Sequence, residues 1–150
     1  MTDEVPVLDR GWIAVDDLPR GVDLLAEVKR LNDAGVEVMW VWNLARHWAG
    51  DDDPEGEERQ ESLTFGVFND RGVLTWRAGF RLWAPSSGLN AAWEDGRLAG
   101  MHDVAVPPRG VVPIEVVYSA LAEFLSSGQR PNSIEWELGE RMPGIPSDEE

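Results

Sequence analysis

The clearest pattern of apolar and polar positions lies between Val112 and Gly139. Apolar residues there recur at steps of three and four, which draws one apolar stripe along a helix. The stripe consists of Ile114, Val117, Tyr118, Leu121, Phe124 and Leu125. Pro113 suits the first turn of that helix, and Gly128 suits its end. A strand with one buried face follows, because Ile134, Trp136 and Leu138 alternate with polar residues.

The earlier part of the chain predicts another helix, at residues 21–32, and then a series of strands. The segment 36–43 is apolar on both faces, which favours a central strand covered on one side by a helix. Strands are further predicted at 63–68, 73–76, 79–83 and 101–106, and a short one around Trp12 and Ile13. Turns are predicted at 69–72, 85–88 and 94–96, where Asn, Asp, Gly or Pro cluster.

Consecutive strands between two helices are typical of α+β proteins. We therefore expect a mainly antiparallel sheet of about five to six strands, with two principal helices packed on one face. The 150 residues suit a single domain over 1–150. Within it, residues 1–10 and 140–150 are expected to be loose.

Residues 44–62 break the periodicity and are rich in carboxylates. Like charges this dense repel one another and prefer water to a core, so the segment is predicted to be a mobile acidic loop. A connection of this length without periodicity is more often functional or disordered than an ordinary link between strands.

The C-terminal third resembles a known family. Its pattern VP…V..AL.EFL.SG.RP..IEW is carried by Val112, Pro113, Val117, Ala120, Leu121, Phe124, Leu125, Gly128, Arg130, Pro131, Ile134 and Trp136. It is similar to the C-terminal signature of the first-catalogued family of immunity proteins in bacterial polymorphic toxin systems. That family includes the inhibitor of a secreted toxin that deaminates cytosine in double-stranded DNA. The resemblance implies a protein that binds and inhibits a cognate toxin, with a DNA cytosine deaminase as the leading candidate.

The net charge of −15 restricts the possible partners. A surface this negative repels nucleic acid and anionic lipid, and it favours a toxin domain with a basic surface. On charge alone, solubility is the better explanation. The sequence has no apolar run near the roughly 20 residues of a membrane helix, and a cytoplasmic location is expected.

The sequence offers no positive sign of catalysis, so we expect no enzyme, no cofactor and no metal. Cysteine is absent, and His47 and His102 lie too far apart to suggest a zinc pair. A calcium loop starting at Asp51 would need a glutamate where Ser62 stands. Two alternatives stay open: a small hydrolase using a carboxylate pair, or a non-catalytic regulatory subunit with an acidic loop.

The predicted mechanism is occlusion of the toxin's substrate groove by an acidic face. The tryptophans in strand patterns (Trp40, Trp42, Trp76 and Trp136) are assigned to the core, whereas Trp12 has no clear assignment. Exposed aromatic residues among charges are typical of interface hot spots. The predicted partner-binding residues are Trp48, Asp51, Asp52, Asp53, Glu55, Glu57, Glu58, Trp83, Trp93, Glu94 and Asp95.

Overall fold

A computed structural model describes residues 7–49, 56, 60–79 and 81–139 of the chain. The helices are α1 (Leu24–Asp33) and α2 (Ile114–Ser127). The strands are β1 (Trp12–Ala14), β2 (Trp40–Ala45), β3 (Glu61–Phe68), β4 (Arg71–Ala78), β5 (Arg81–Pro85), β6 (Glu94–Leu98), β7 (His102–Val106), β8 (Val111–Pro113) and β9 (Trp136–Leu138). Short 3-10 helices lie on either side of β1, at Val7–Asp9 and Val15–Asp17.

The described strands form one sheet in the order β7-β6-β2-β3-β4-β5-β9, with β1 also beside β2 and β8 also beside β4. Strands β1 and β6 run parallel to β2, while the other pairings are antiparallel. The predicted α+β class is confirmed. The predicted size is wrong, because the sheet has nine strands rather than five or six and is mixed. The missed strands, β6 and β8, are too short or too polar to show a two-residue period.

Strand β2 lies inside the sheet, with β3 along one edge, and its other edge is shared by two partners. β6 pairs with its N-terminal end, where Arg97 lies opposite Trp40. β1 pairs with its C-terminal end, where Trp12 lies opposite Asn43. The order of elements therefore brings the N-terminal segment and the β6–β7 hairpin to opposite ends of one strand.

Both helices pack on the same face of the sheet, as predicted. Leu24 and Val28 of α1 and Leu121 and Phe124 of α2 belong to one buried cluster with the apolar side chains of β2, β3 and β4. Trp42 is fully buried in it, stacked on a phenylalanine ring of β3 at a centroid distance of 5.3 Å. Burying one such side chain stabilises the fold by about 1.5–3 kcal/mol, so this cluster holds the helices to the sheet.

The opposite face carries a smaller cluster made of Met39, Val41, Val73, Val106 and Val111. Because β2 contributes to both clusters, it is apolar on both faces, as its sequence predicted. The strand itself begins at Trp40 rather than Val36.

The predicted acidic loop is too long at both ends. Leu44 and Ala45 are buried residues of β2, and Glu61 and Ser62 are the first residues of β3. The connection between these strands is therefore 46–60, of which residues 50–55 and 57–59 lie outside the described part. The prediction that the loop is mobile concerns those residues and therefore lies outside the described part of the chain.

The turn predicted at Glu94–Gly96 is wrong. These residues start β6, which pairs with β7 over its whole length. The reversal is made instead by Ala99 and Gly100, whose φ angles are 51° and 76°. Two consecutive positive φ angles match the two-residue turns that connect twisted strands, but alanine rarely adopts that conformation and gave no signal in the sequence.

The N-terminal segment is more ordered than predicted from residue 7 onward. Leu8 is buried, and its carbonyl accepts a 2.9 Å hydrogen bond from Nε1 of Trp42. Residues 1–6 and 140–150 lie outside the described part. Pro113 closes β8 and directly precedes α2 instead of lying in its first turn, whereas Gly128 ends α2 with a φ of 71°, as predicted.

Side-chain amides join α1, the β3–β4 turn and α2 at the N-terminal end of β2. Asn32 is buried and bonds both the N–H and the carbonyl of Asn69, at 2.8 and 2.7 Å, and its Nδ2 also donates to the Tyr118 hydroxyl at 3.0 Å. The Asn69 side chain in turn bonds both main-chain polar groups of Val36. We call Asn32, Val36, Asn69 and Tyr118 the amide junction.

Candidate partner-binding surface

The connection 46–60 is closed at its base by one side chain. Oε1 of Gln60 accepts a 2.7 Å hydrogen bond from the main-chain N–H of Ala49. Nε2 of Gln60 donates to the carbonyls of His47 and Glu61, at 3.0 and 3.2 Å. We call residues 46–49 together with Gln60 the neck. In the sequence, the predicted binding carboxylates Asp51–Glu58 fall between the two parts of the neck.

One tryptophan belongs to the neck, and a second stands beside it. Trp48 is half-buried, and its Nε1 donates to the carbonyl of Ile13 at 2.9 Å. The ring of Trp12 meets the ring of Trp48 edge to face, with centroids 5.1 Å apart. Trp12 remains 55% exposed although its main chain belongs to β1. A large aromatic surface is therefore presented to solvent from a strand of the sheet.

An open groove of about 410 Å³ runs along these two rings. Its walls also include Leu18, Pro19 and Val22, and its charged lining residues are Arg10, Asp17 and Glu27. We call this feature the aromatic groove. It combines apolar walls with carboxylates, which suits a side chain that is both flat and cationic.

A polar cleft of about 430 Å³ also adjoins the neck. It is lined by Asp16, Arg46, His47, Gln60, Glu61, Trp76, Phe124, Gly128 and Gln129. Asp16 is fixed there because its N–H donates to the carbonyl of Arg46 at 3.1 Å. Neighbouring Asp16 and Asp17 therefore line different depressions, and residues of the neck line both.

The turn after α2 is held by a carboxylate near this cleft. Oε1 of Glu123 accepts from Oγ of Ser133 at 2.7 Å, and Oε2 accepts from the N–H of Asn132. The Ser133 hydrogen bond, followed by that of Asn132, holds the pKa of Glu123 below its ordinary value. Glu123 therefore remains charged and anchors the turn at neutral pH.

The other predicted binding residues lie in separate places. Trp83 is half-buried on β5, with the guanidinium carbon of Arg130 5.6 Å from its ring centroid. Trp93 is half-buried directly before β6, and Glu94 and Asp95 are exposed on that strand. The carboxylates Asp51, Asp52, Asp53, Glu55, Glu57 and Glu58 lie outside the described residues.

The structure does not bring the described members of the predicted set together. Three strands separate β5, which carries Trp83, from β6. Since β6 runs parallel to β2 and Arg97 lies opposite Trp40, Glu94 lies beyond the N-terminal end of β2. Trp48 follows the C-terminal end of the same strand. An interface centred on the neck would therefore not include Glu94 without extending along the whole of β2.

Sequence reasoning missed the residues that shape the neck surface. Trp12 had no assignment to the core or to the surface. A three-residue strand with Trp12 exposed and Ile13 and Ala14 buried is nevertheless compatible with this stretch of sequence. No sequence signal shows that the side-chain amide of Gln60 joins both ends of the connection. No sequence pattern distinguishes Asp16 and Asp17 from the other carboxylates of the chain.

No three His, Asp or Glu side chains converge as metal ligands would within the part of the chain that the structure describes. His47 follows β2 and His102 starts β7, and β6 lies between these two strands in the sheet. Among the described helices, none is long and apolar enough to cross a bilayer.

Comparison with known proteins identifies a family. A search among curated proteins found no match. A family model described as immunity protein Imm1 matches residues 20–138, which include the central sheet, both helices and the C-terminal signature. Immunity proteins act against toxins, so this match implies a cognate toxin as partner and favours a non-catalytic inhibitor over an enzyme. The chain belongs to the Imm1 family of immunity proteins, and the resemblance seen in its C-terminal third is confirmed.

Proposed function

We propose that the protein inhibits its cognate toxin by covering the toxin's substrate-binding groove with the acidic surface around the neck, and that this toxin is a DNA cytosine deaminase. The observation that carries the proposal is the net charge of −15 in a member of an immunity family. The connection between β2 and β3 concentrates part of that charge in a short stretch of sequence.

Carboxylates suit this role because of what a DNA-acting enzyme must expose. Arginine and lysine side chains hold the phosphates of DNA, and the same side chains form short, charge-assisted hydrogen bonds with carboxylates. In the proposal, Asp51, Asp52, Asp53, Glu55, Glu57 and Glu58 take the positions of phosphates on the toxin. Trp48 supplies apolar contact area at the base of this charged segment.

The start of β6, within the predicted region 84–97, is a proposed second contact. Trp93 is half-buried there, and the carboxylates Glu94 and Asp95 are exposed. Trp83 lies three strands away on β5 and would contact the toxin separately. The distance of the β6 contact from the neck along β2 means that the toxin would have to span the sheet in order to touch both. The neck surface is therefore the main contact, and this region is a peripheral one.

Inhibition by occlusion requires no reaction on the immunity protein. A deaminase uses a bound zinc ion to activate water, and in this proposal that ion belongs to the toxin. The negative surface accelerates encounter with the basic groove, and the buried contacts then determine how long the complex lasts.

The test is a binding and activity assay with the toxin domain encoded beside this chain's gene. We expect nanomolar affinity that weakens as salt is raised, together with loss of cytosine deamination on double-stranded DNA. DNA should compete with the immunity protein for the toxin. Absence of a complex at low salt would overturn the proposal, and a complex that still binds DNA would overturn occlusion.

A further inference from the structure

We propose that the aromatic groove is the docking site for an arginine side chain of the cognate toxin. This inference rests on the proposed function and names the contact that would anchor it. The feature that carries it is Trp12, a large aromatic residue 55% exposed beside carboxylates on a chain that belongs to an immunity family.

The groove is held in place by the fold. β1 pairs with β2 over Trp12, Ile13 and Ala14, so the main chain under Trp12 belongs to the sheet. The Trp48 ring is fixed by its hydrogen bond to Ile13 and supports Trp12 from the side. A partner side chain would therefore meet a surface that is already formed, which reduces the entropy lost on binding.

The aromatic lining and the charge of the whole chain select a guanidinium group. Of the charged lining residues Arg10, Asp17 and Glu27, Glu27 is already paired with Arg30 at 2.9 Å, so the groove itself is close to neutral. The preference for a cation comes from the net charge of −15, which favours a basic partner. Arginine stacks on aromatic faces and pairs with carboxylates in a planar geometry, whereas the compact ammonium of lysine is more strongly hydrated. The chain itself places Arg130 over Trp83 at 5.6 Å, the same kind of contact made internally.

The test compares Trp12→Ala with Leu138→Ala in binding to the toxin domain encoded beside the gene. Leu138 is also 55% exposed but lies on β9, at the far edge of the sheet, so it is a matched control. We expect Trp12→Ala to weaken binding about 30-fold or more, mainly through faster dissociation. Trp12→Phe should retain most of the affinity, and Leu138→Ala should bind within about twofold of the wild type.

A double-mutant cycle tests the identity of the occupant. Each surface arginine of the toxin is changed to lysine, with and without Trp12→Ala in the immunity protein. One arginine should lose its effect when Trp12 is absent, because the two side chains then no longer contact each other. If no arginine is coupled to Trp12, the guanidinium proposal is overturned.

The outcomes separate this inference from the proposed function. If the wild type binds and Trp12→Ala binds equally well, the groove proposal fails while the immunity function stands. If the wild type forms a dimer that Trp12→Ala abolishes, the occupant is a second copy of the chain and the proposal fails. If the wild type does not bind the toxin at all, the proposed function itself fails.

Discussion

The two ends of β2 use polar and aromatic side chains in opposite ways. At the N-terminal end, the side chains of the buried Asn32 and the exposed Asn69 bond main-chain groups of neighbouring segments of the same chain. At the C-terminal end, Trp12 is exposed and Gln60 closes a connection whose carboxylates are predicted to face a partner. One strand therefore joins a region built for stability to a region suited to recognition.

This difference indicates that the stability of the fold and the recognition of the toxin should be separable by mutation. Changes at the amide junction should alter the free energy of unfolding and leave the affinity of the folded protein for toxin intact. Changes at the neck should do the reverse. The following predictions test this separation, from the largest expected effect to the smallest.

Asn32→Ala should lower the free energy of unfolding by about 3 kcal/mol, because the main-chain groups of Asn69 lose their buried partners. Chemical denaturation measures this loss, and Asn132→Ala is the control. Asn132 is exposed, and its hydrogen bond to Glu123 is made by the main chain, so its replacement should change stability by less than about 0.5 kcal/mol. Equal effects of the two changes would show that the junction is not a stability element.

Removing carboxylates at the two ends of β2 should have different effects on association. One variant replaces Asp51, Asp52 and Asp53 by alanine. The other replaces Asp33, Glu37 and Asp70, which are exposed around the amide junction. Both remove three charges, but we expect only the first to slow association with the toxin, by roughly tenfold at low salt. Stopped-flow kinetics tests this, and equal slowing would indicate that only net charge matters.

Gln60→Ala should open the neck at a smaller cost in stability, about 1 kcal/mol, because its hydrogen bonds are near the surface. Affinity for the toxin should also fall, since the binding segment is no longer held closed. Gln129→Ala is a matched control in the same polar cleft, because the hydrogen bonds of Gln129 with Ser127 are made by its main chain. A toxin affinity equal to that of the wild type in Gln60→Ala would place the neck outside the interface.

The smallest effect concerns acid stability at the turn after α2. Because the pKa of Glu123 is lower in the folded chain than in the unfolded chain, its contribution is complete above the unfolded pKa. The contribution is lost as the pH falls from the ordinary pKa of glutamate through the lowered folded pKa. Denaturation at several pH values should show a shallower acid loss for Glu123→Gln than for the wild type. Identical acid profiles would contradict this role.

Elements with long sequence patterns could be predicted from the sequence. Features that depend on one or two residues could not. The stripe from Ile114 to Leu125 and the stop at Gly128 specified α2, because burial and backbone freedom act locally there. The turn at Ala99 and Gly100 could not be read, since alanine is held with a positive φ by the pairing of β6 with β7 and not by its own preference.

The candidate surface was less predictable than the fold, for a related reason. Charge density marked the connection between β2 and β3, and Trp48 was named from its place in that connection. Trp12 acquires its role only through the parallel pairing of β1 with β2, a contact between segments about 30 residues apart. Such pairings depend on the topology of the whole sheet, and no local sequence pattern predicts them.

The division of the outer edge of β2 between β1 and β6 has a consequence for the solubility of the protein during synthesis. β2 is apolar on both faces, and an uncovered edge on such a strand is a template for pairing with other chains and for aggregation. β1 covers the edge at Asn43–Ala45, and the strand β6, made roughly fifty residues later, covers it at Trp40–Val41. The N-terminal segment is synthesised before β2 and therefore covers part of this edge before β6 has been made. Shortening the segment would leave the edge of β2 exposed and favour aggregation.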